Sequence, residues 1–216
     1  ANENFNSEDL PEMYLLLKQN KYKNEWRFIA QLIGYVSARG NKDSIDALID
    51  YFQREDFWTE MKYDSEKSFD IGMGKIMCLE WIGMIGGDYA QEYLLKALTP
   101  EGAMELSAQW IEHTEASFPG GITDVIDHIR GKALMGLVYC KNENFDKMLL
   151  QMYEDERAKC IQNGGNQSHM YDHISSALAV SKLVDSIGLQ KRFELYGSNE
   201  ELEKLTPFLM KTVYLE

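Results

Sequence analysis

Apolar residues recur along this chain at the spacing of a helix rather than in the alternation of a strand, and the periodic runs are broken by glycines, prolines and short polar stretches. Trp26, Ile29, Ile33 and Val36 line one face of a helix predicted from Glu25 to Ala38, which stops at Arg39 and Gly40. Ile45, Leu48, Ile49 and Phe52 line the next, from Lys42 to Arg54. A polar stretch, Glu55 to Ser68, leads into a longer helix that carries Ile71, Met77, Cys78, Trp81, Ile82 and Ile85 and ends at Gly86 and Gly87. Asp88 reads as the cap of a helix with Tyr89, Tyr93, Leu94 and Leu98 on its apolar side, and Pro100 ends or restarts the chain.

A helix predicted over 101–116 is followed by a turn at Phe118, Pro119, Gly120 and Gly121. Ile122, Val125, Ile126, Ile129, Ala133 and Leu137 then form one stripe over 122–139, and Phe145, Met148, Leu149 and Met152 mark its partner helix. An open Gly-rich loop at 163–167 precedes Ser168, which reads as the cap of a helix near 170–186. Two further helices fall near 189–196 and 198–212, the second with Ser198 and Glu201 in capping-box spacing. At the start of the chain, Ser7 reads as an N-cap, with Pro11 in the first turn before the run Met13 to Leu17.

Composition agrees with the pattern. Leu, Met, Ala, Glu, Lys and Gln dominate, only 4 prolines occur, and 44% of residues are apolar, so the chain can build a core and favours an all-α fold. The expectation is one domain over 1–216: an N-terminal capping helix in 1–22 and helix groups at 23–54, 66–99, 121–158 and 168–213. No apolar run approaches the roughly 20 residues that a membrane-spanning helix needs, so membrane insertion is not expected.

The helix pairs share a pattern. In the first, Arg27, Ala30, Ile33 and Gly34 lead through Gly40 and Asn41 into Ile45, Leu48 and Ile49; in the second, Cys78, Ile82, Gly83 and Ile85 lead through Gly86, Gly87 and Asp88 into Ala90, Leu94, Leu95 and Leu98. In the third, Arg130, Ala133, Leu134 and Gly136 lead through Lys141 and Asn142 into Phe145, Met148 and Leu149, and a degenerate fourth starts at His173 with Ala177, Leu178 and Val180. The pattern resembles the HEAT repeat, and within it the PBS-lyase type. The resemblance covers residues 25 to 185 and implies an α-α superhelix, a solenoid of antiparallel helix pairs that bury a core only by stacking. The periods are irregular, and an irregular compact helical bundle is the alternative architecture.

Small residues such as Ala30, Gly34, Gly83, Ala133 and Gly136 are expected to let neighbouring helices approach closely, and the glycines after them to end helices in a left-handed conformation.

Charge narrows the function. A net charge of -13 argues against nucleic acid, whose affinity comes from Lys and Arg displacing counterions, and leaves a basic or neutral protein or peptide as the partner. Between Lys96 and Arg130 there is no Lys or Arg, and on a helix the acids Glu101, Glu105, Glu112 and Glu115 fall within a sector of roughly 80° at about 100° per residue. This acidic stripe is the candidate binding surface of a non-enzymatic interaction module.

The alternative is a metal-dependent enzyme. All 4 histidines lie between residues 113 and 173, and His113, His128 and His173 each follow an acid. On one helix, His169 and His173 are a turn apart with Asp172 beside them, a spacing able to hold a divalent metal. His113 also reads as a core histidine and His128 as the helical partner of Asp124. No phosphate-binding loop, dinucleotide fingerprint, nucleophile elbow or H-E-x-x-H motif is present, so the sequence names no cofactor and no catalytic residue.

Cys78, Cys140 and Cys160 have neither C-x-x-C nor metal-ligand spacing and read as free, buried or half-buried thiols. Free thiols point to a reducing compartment; a start at Ala1 without Met is equally in keeping with a removed leader or a trimmed chain, so localisation and oligomeric state stay open.

Overall fold

The structure, a computed structural model, describes residues 7–19, 25–38, 40–54, 65–108, 121–165 and 168–213. Among them it is all-helical, without a strand. After a 3-10 turn at Ser7–Asp9 come α1 (Leu10–Lys18), α2 (Trp26–Ala38), α3 (Lys42–Gln53), α4 (Ser65–Ile85), α5 (Gly87–Leu98) and α6 (Pro100–Ser107). They are followed by α7 (Ile122–Tyr139), α8 (Phe145–Gln162), α9 (His169–Ile187), α10 (Leu189–Leu195) and α11 (Asn199–Val213). None of these helices is long and apolar enough to cross a membrane.

The longer helices pack in chain order: α2 against α4, α4 against α7, α7 against α9, and α9 against α11. Helices α3, α5 and α8 pack respectively on α4, α7 and α9, each the next long helix along. One continuous apolar cluster runs through them, from Leu10, Met13 and Leu17 past Val36, Phe52, Ile82, Leu94, Ala133 and Leu149 to Ile174 and Val180. The α7 stripe is buried at Val125, Ile129, Ala133 and Leu137, while Ile122 and Ile126 are half-buried at its rim. Tyr153, not among the apolar positions read from the pattern of α8, is among the largest fully buried side chains.

Two small residues set the tightest helix crossing. A Cβ placed on Gly83 of α4 would stand 2.0 Å from the Gly136 carbonyl oxygen of α7, and one on Gly136 would stand 2.5 Å from Leu79 O. Backbone meets backbone there, so neither position tolerates a side chain. Gly34, expected to play the same part, faces open space. Gly86 and Gly87, at φ 78° and 85°, adopt the left-handed conformation that turns α4 into α5. Gly40 has no positive φ; its bareness is needed because Val36 O and the Ile85 side chain crowd its Cβ position at 2.7 and 2.9 Å.

Turn residues tie each pair to its neighbour. Tyr89 of α5 donates to Asp46 of α3 at 2.7 Å, Gln91 donates to Cys140 O, and Asn142 Nδ2 donates to Gln91 at 3.3 Å. Lys141 bridges Asp146 on α8 and Asp185 on α9, at 3.4 and 2.5 Å.

Three element ends differ from expectation. Helix α4 begins at Ser65, inside the polar stretch predicted to reach Ser68, because Glu66 and Lys67 are good helix formers whatever their polarity. Gly86 occupies the N-cap of α5 and Asp88 lies inside its first turn, where its charge meets the positive end of the helix dipole. At the N-terminus, Ser7 opens the 3-10 turn and Asp9 takes the N-cap of α1, its side chain making no capping hydrogen bond to the helix. Pro100 restarts the chain: Thr99 caps α6 by accepting from Gly102 N at 3.0 Å, with Pro100 in the first turn. Ser168 caps α9 as expected, accepting from Tyr171 N at 3.1 Å.

Candidate functional site

Of the acidic stripe, Glu101 and Glu105 lie on α6 and are exposed, whereas Glu112 and Glu115, like His113, fall outside the described residues. Glu105 is paired: Lys96 Nζ of α5 donates to it at 2.8 Å across the Thr99 turn. The Lys96 that closes the basic part of the sequence thus folds back onto the stripe. Beside it, α5 presents Asp88, Glu92 and Leu95 to solvent. At about 100° per residue these three share a sector of roughly 60°. Leu95 stands at the rim of a cleft of about 140 Å³ that Leu137, Phe145 and Met148 help to line.

The histidines come together across two helices. His128 of α7 has its ring centre 5.4 Å from that of His173 and 6.4 Å from that of His169, both on α9. Asp124, one turn before His128, places Oδ1 3.2 Å from His169 Nδ1, so it reaches the next helix. Gly131 makes the approach possible, since a Cβ there would stand 2.4 Å from the His173 ring. His173 is largely enclosed, and burial, followed by the nearby charges of His128, Lys132 and His169, pushes its pKa down to about 4. Burial also lowers His128, against the opposing pull of Asp124. Asp127 is pushed above the usual carboxylate range by burial, with Arg130 at 3.5 Å opposing the shift. Asp172, grouped with His169 and His173 on sequence spacing, points to solvent. Among the described residues no three His, Cys, Asp or Glu side chains are already gathered to hold a metal ion.

A third cluster has no precedent in the sequence reading. Glu80 of α4 is buried and accepts from Tyr139 OH at 2.6 Å and Lys132 Nζ at 2.7 Å, both from α7. Arg192 of α10, only 4% exposed, lies over the rings of Tyr139, Phe193 and Tyr196 at 5.1, 5.2 and 4.5 Å. Its Nε is 3.0 Å from the buried Glu201 of α11, though poorly aligned for a hydrogen bond. Phe193 stacks on Trp81 of α4 at 6.1 Å, so the short helix α10 reaches back past its neighbour. The one signal in the sequence was Glu80 itself, a carboxylate inside the apolar run Cys78 to Ile85.

The three cysteines are free: Cys78 and Cys160 are buried and Cys140 is half-buried. Burial raises the Cys78 thiol and pushes Cys140 up to about 11, so neither is an activated nucleophile.

Compared with known proteins, the chain matches no family model. No curated protein and no solved structure matches it at a significant level.

Proposed function

We propose that this chain is a HEAT-like α-solenoid that works by binding a basic or neutral protein or peptide on an acidic face. The serial packing of long helices in chain order, with each shorter partner helix laid on the next long one, supports the repeat architecture. The observation that carries the docking reading is the face shared by α5 and α6. Asp88 and Glu92 are exposed on the same side of α5 as an apolar residue, Leu95, at the rim of a cleft, and Glu101 and Met104, the latter 59% exposed, lie on the adjoining α6. A partner side chain entering the cleft beside Leu95 would bury apolar surface, and basic groups around it would meet the carboxylates.

A face of this kind gives the partner a rim of charge and a small apolar centre, which makes attraction sensitive to ionic strength. The test is capture from a lysate of the native cell on the immobilised chain at low and high salt. The reading expects a discrete protein or peptide retained at low salt and released at high salt. Retention that does not respond to salt, or no specific retention, contradicts it.

A further inference from the structure

We propose that His128, His169 and His173 form a binding site for one divalent transition-metal ion of the zinc class, held between α7 and α9. The site uses none of the residues of the acidic face and stands or falls independently of it.

Two imidazoles of α9 flank one of α7, with ring centres 5.4 Å (His173) and 6.4 Å (His169) from that of His128, and the closer approach requires a bare glycine, Gly131, where α7 meets the His173 ring. For a tetrahedral ion with metal–nitrogen bonds of about 2.0–2.1 Å, the ring centres of two ligating imidazoles lie roughly 5.2 Å apart. His128 and His173 stand at 5.4 Å, close to that separation. His169, at 6.4 Å from His128, must close by about an ångström. Its side chain is 59% exposed, so the ring has room to swing.

The position of Asp124 fixes the chemistry of that third ring. With Oδ1 3.2 Å from His169 Nδ1, the carboxylate is placed to accept from Nδ1–H, which leaves Nε2 as the lone-pair donor. This is the carboxylate–histidine arrangement that orients ligands and raises their basicity in metal sites. The set is all nitrogen, with a carboxylate behind it, which suits zinc, cobalt or nickel better than calcium or magnesium. Three protein ligands on a tetrahedral ion leave a fourth position for water. The same sequence spacing recurs on both helices, Asp124-x-x-Asp127-His128 and His169-x-x-Asp172-His173.

The test is titration of the chelator-treated full chain with zinc chloride by calorimetry, and with cobalt chloride by absorption. The site predicts one ion per chain and a cobalt spectrum with visible d–d bands but no thiolate charge-transfer band. His169→Ala, at an exposed position that should leave folding intact, is expected to weaken binding at least tenfold. Asp124→Asn should weaken it by about 10–100-fold, as for other partners behind a metal ligand. Glu12→Gln, exposed on α1 near the start of the chain, should bind as the parent does. Absence of zinc binding, binding unchanged by His169→Ala in a chain that melts like the parent, or a thiolate band in the cobalt spectrum would each overturn the proposal.

Discussion

Glu80 shows what a single buried charge demands. Taken from water into the α4–α7 contact, its carboxylate is tolerable only because Lys132 and Tyr139 both donate to it. Replacing Lys132 with Met leaves the buried charge half satisfied and should cost about 3 kcal/mol in urea unfolding. The double variant Glu80→Gln/Lys132→Met should recover a large part of that loss; additive losses would argue that the pair is not coupled. His173 carries the opposite lesson, a group held neutral. Its folded pKa of about 4 lies below the ordinary histidine value of about 6.5, so folding favours the uncharged ring. That contribution is fully present above pH 6.5 or so and is lost as pH falls through about 4. In the metal-free chain, urea midpoints should therefore decline between about pH 6.5 and pH 4, and the decline should be shallower in His173→Gln. An unchanged slope would place the acid sensitivity elsewhere.

At the scale of helices and their contacts, what the sequence made legible was periodicity. The stripe from Ile122 to Leu137 gave α7, and the small residues Gly83 and Gly136 marked where two helices touch. Gly83→Ala forces a methyl into the Gly136 carbonyl, and a loss of about 2–3 kcal/mol is expected from the overpacked crossing. Gly34→Ala, in open space within α2, should instead be neutral or slightly stabilising, because alanine is the better helix former. Thermal melts of the two variants separate the contact from the residue type. Boundaries were less legible. Asp88 has the chemistry of a cap, yet Gly86 takes that place because the turn from α4 requires a positive φ. Asn41 and Ser44 form a reciprocal capping box at α3, at 3.2 and 3.3 Å, that spacing rules built on Glu or Gln pass over. Removing it in Asn41→Ala should cost about 1 kcal/mol. Within the sites, His169 and His173 could be placed on one face from their spacing, but His128 joins them only through the packing of α7 on α9. The knot around Arg192 depends on α10 reaching back to α4, a contact between residues too far apart in sequence for periodicity to report.

For the whole molecule, the dominant quantity is a net charge of -13 on 216 residues. Like charges on the surface repel, and salt screens that repulsion over about 8–10 Å near physiological ionic strength. Stability should therefore rise as salt is added from a few millimolar to about 0.15 M, by a few degrees in Tm, before ordinary salting effects take over. The same charge, exposed on α5 and α6, is what the proposed docking uses. The most direct measurement is capture of the lysate partner by the parent chain and by Glu92→Lys/Glu101→Lys/Glu105→Lys, with circular dichroism to show that both are folded. The account predicts that the charge-reversed chain loses the salt-sensitive partner while keeping the helical spectrum. Equal capture by the two chains would contradict it.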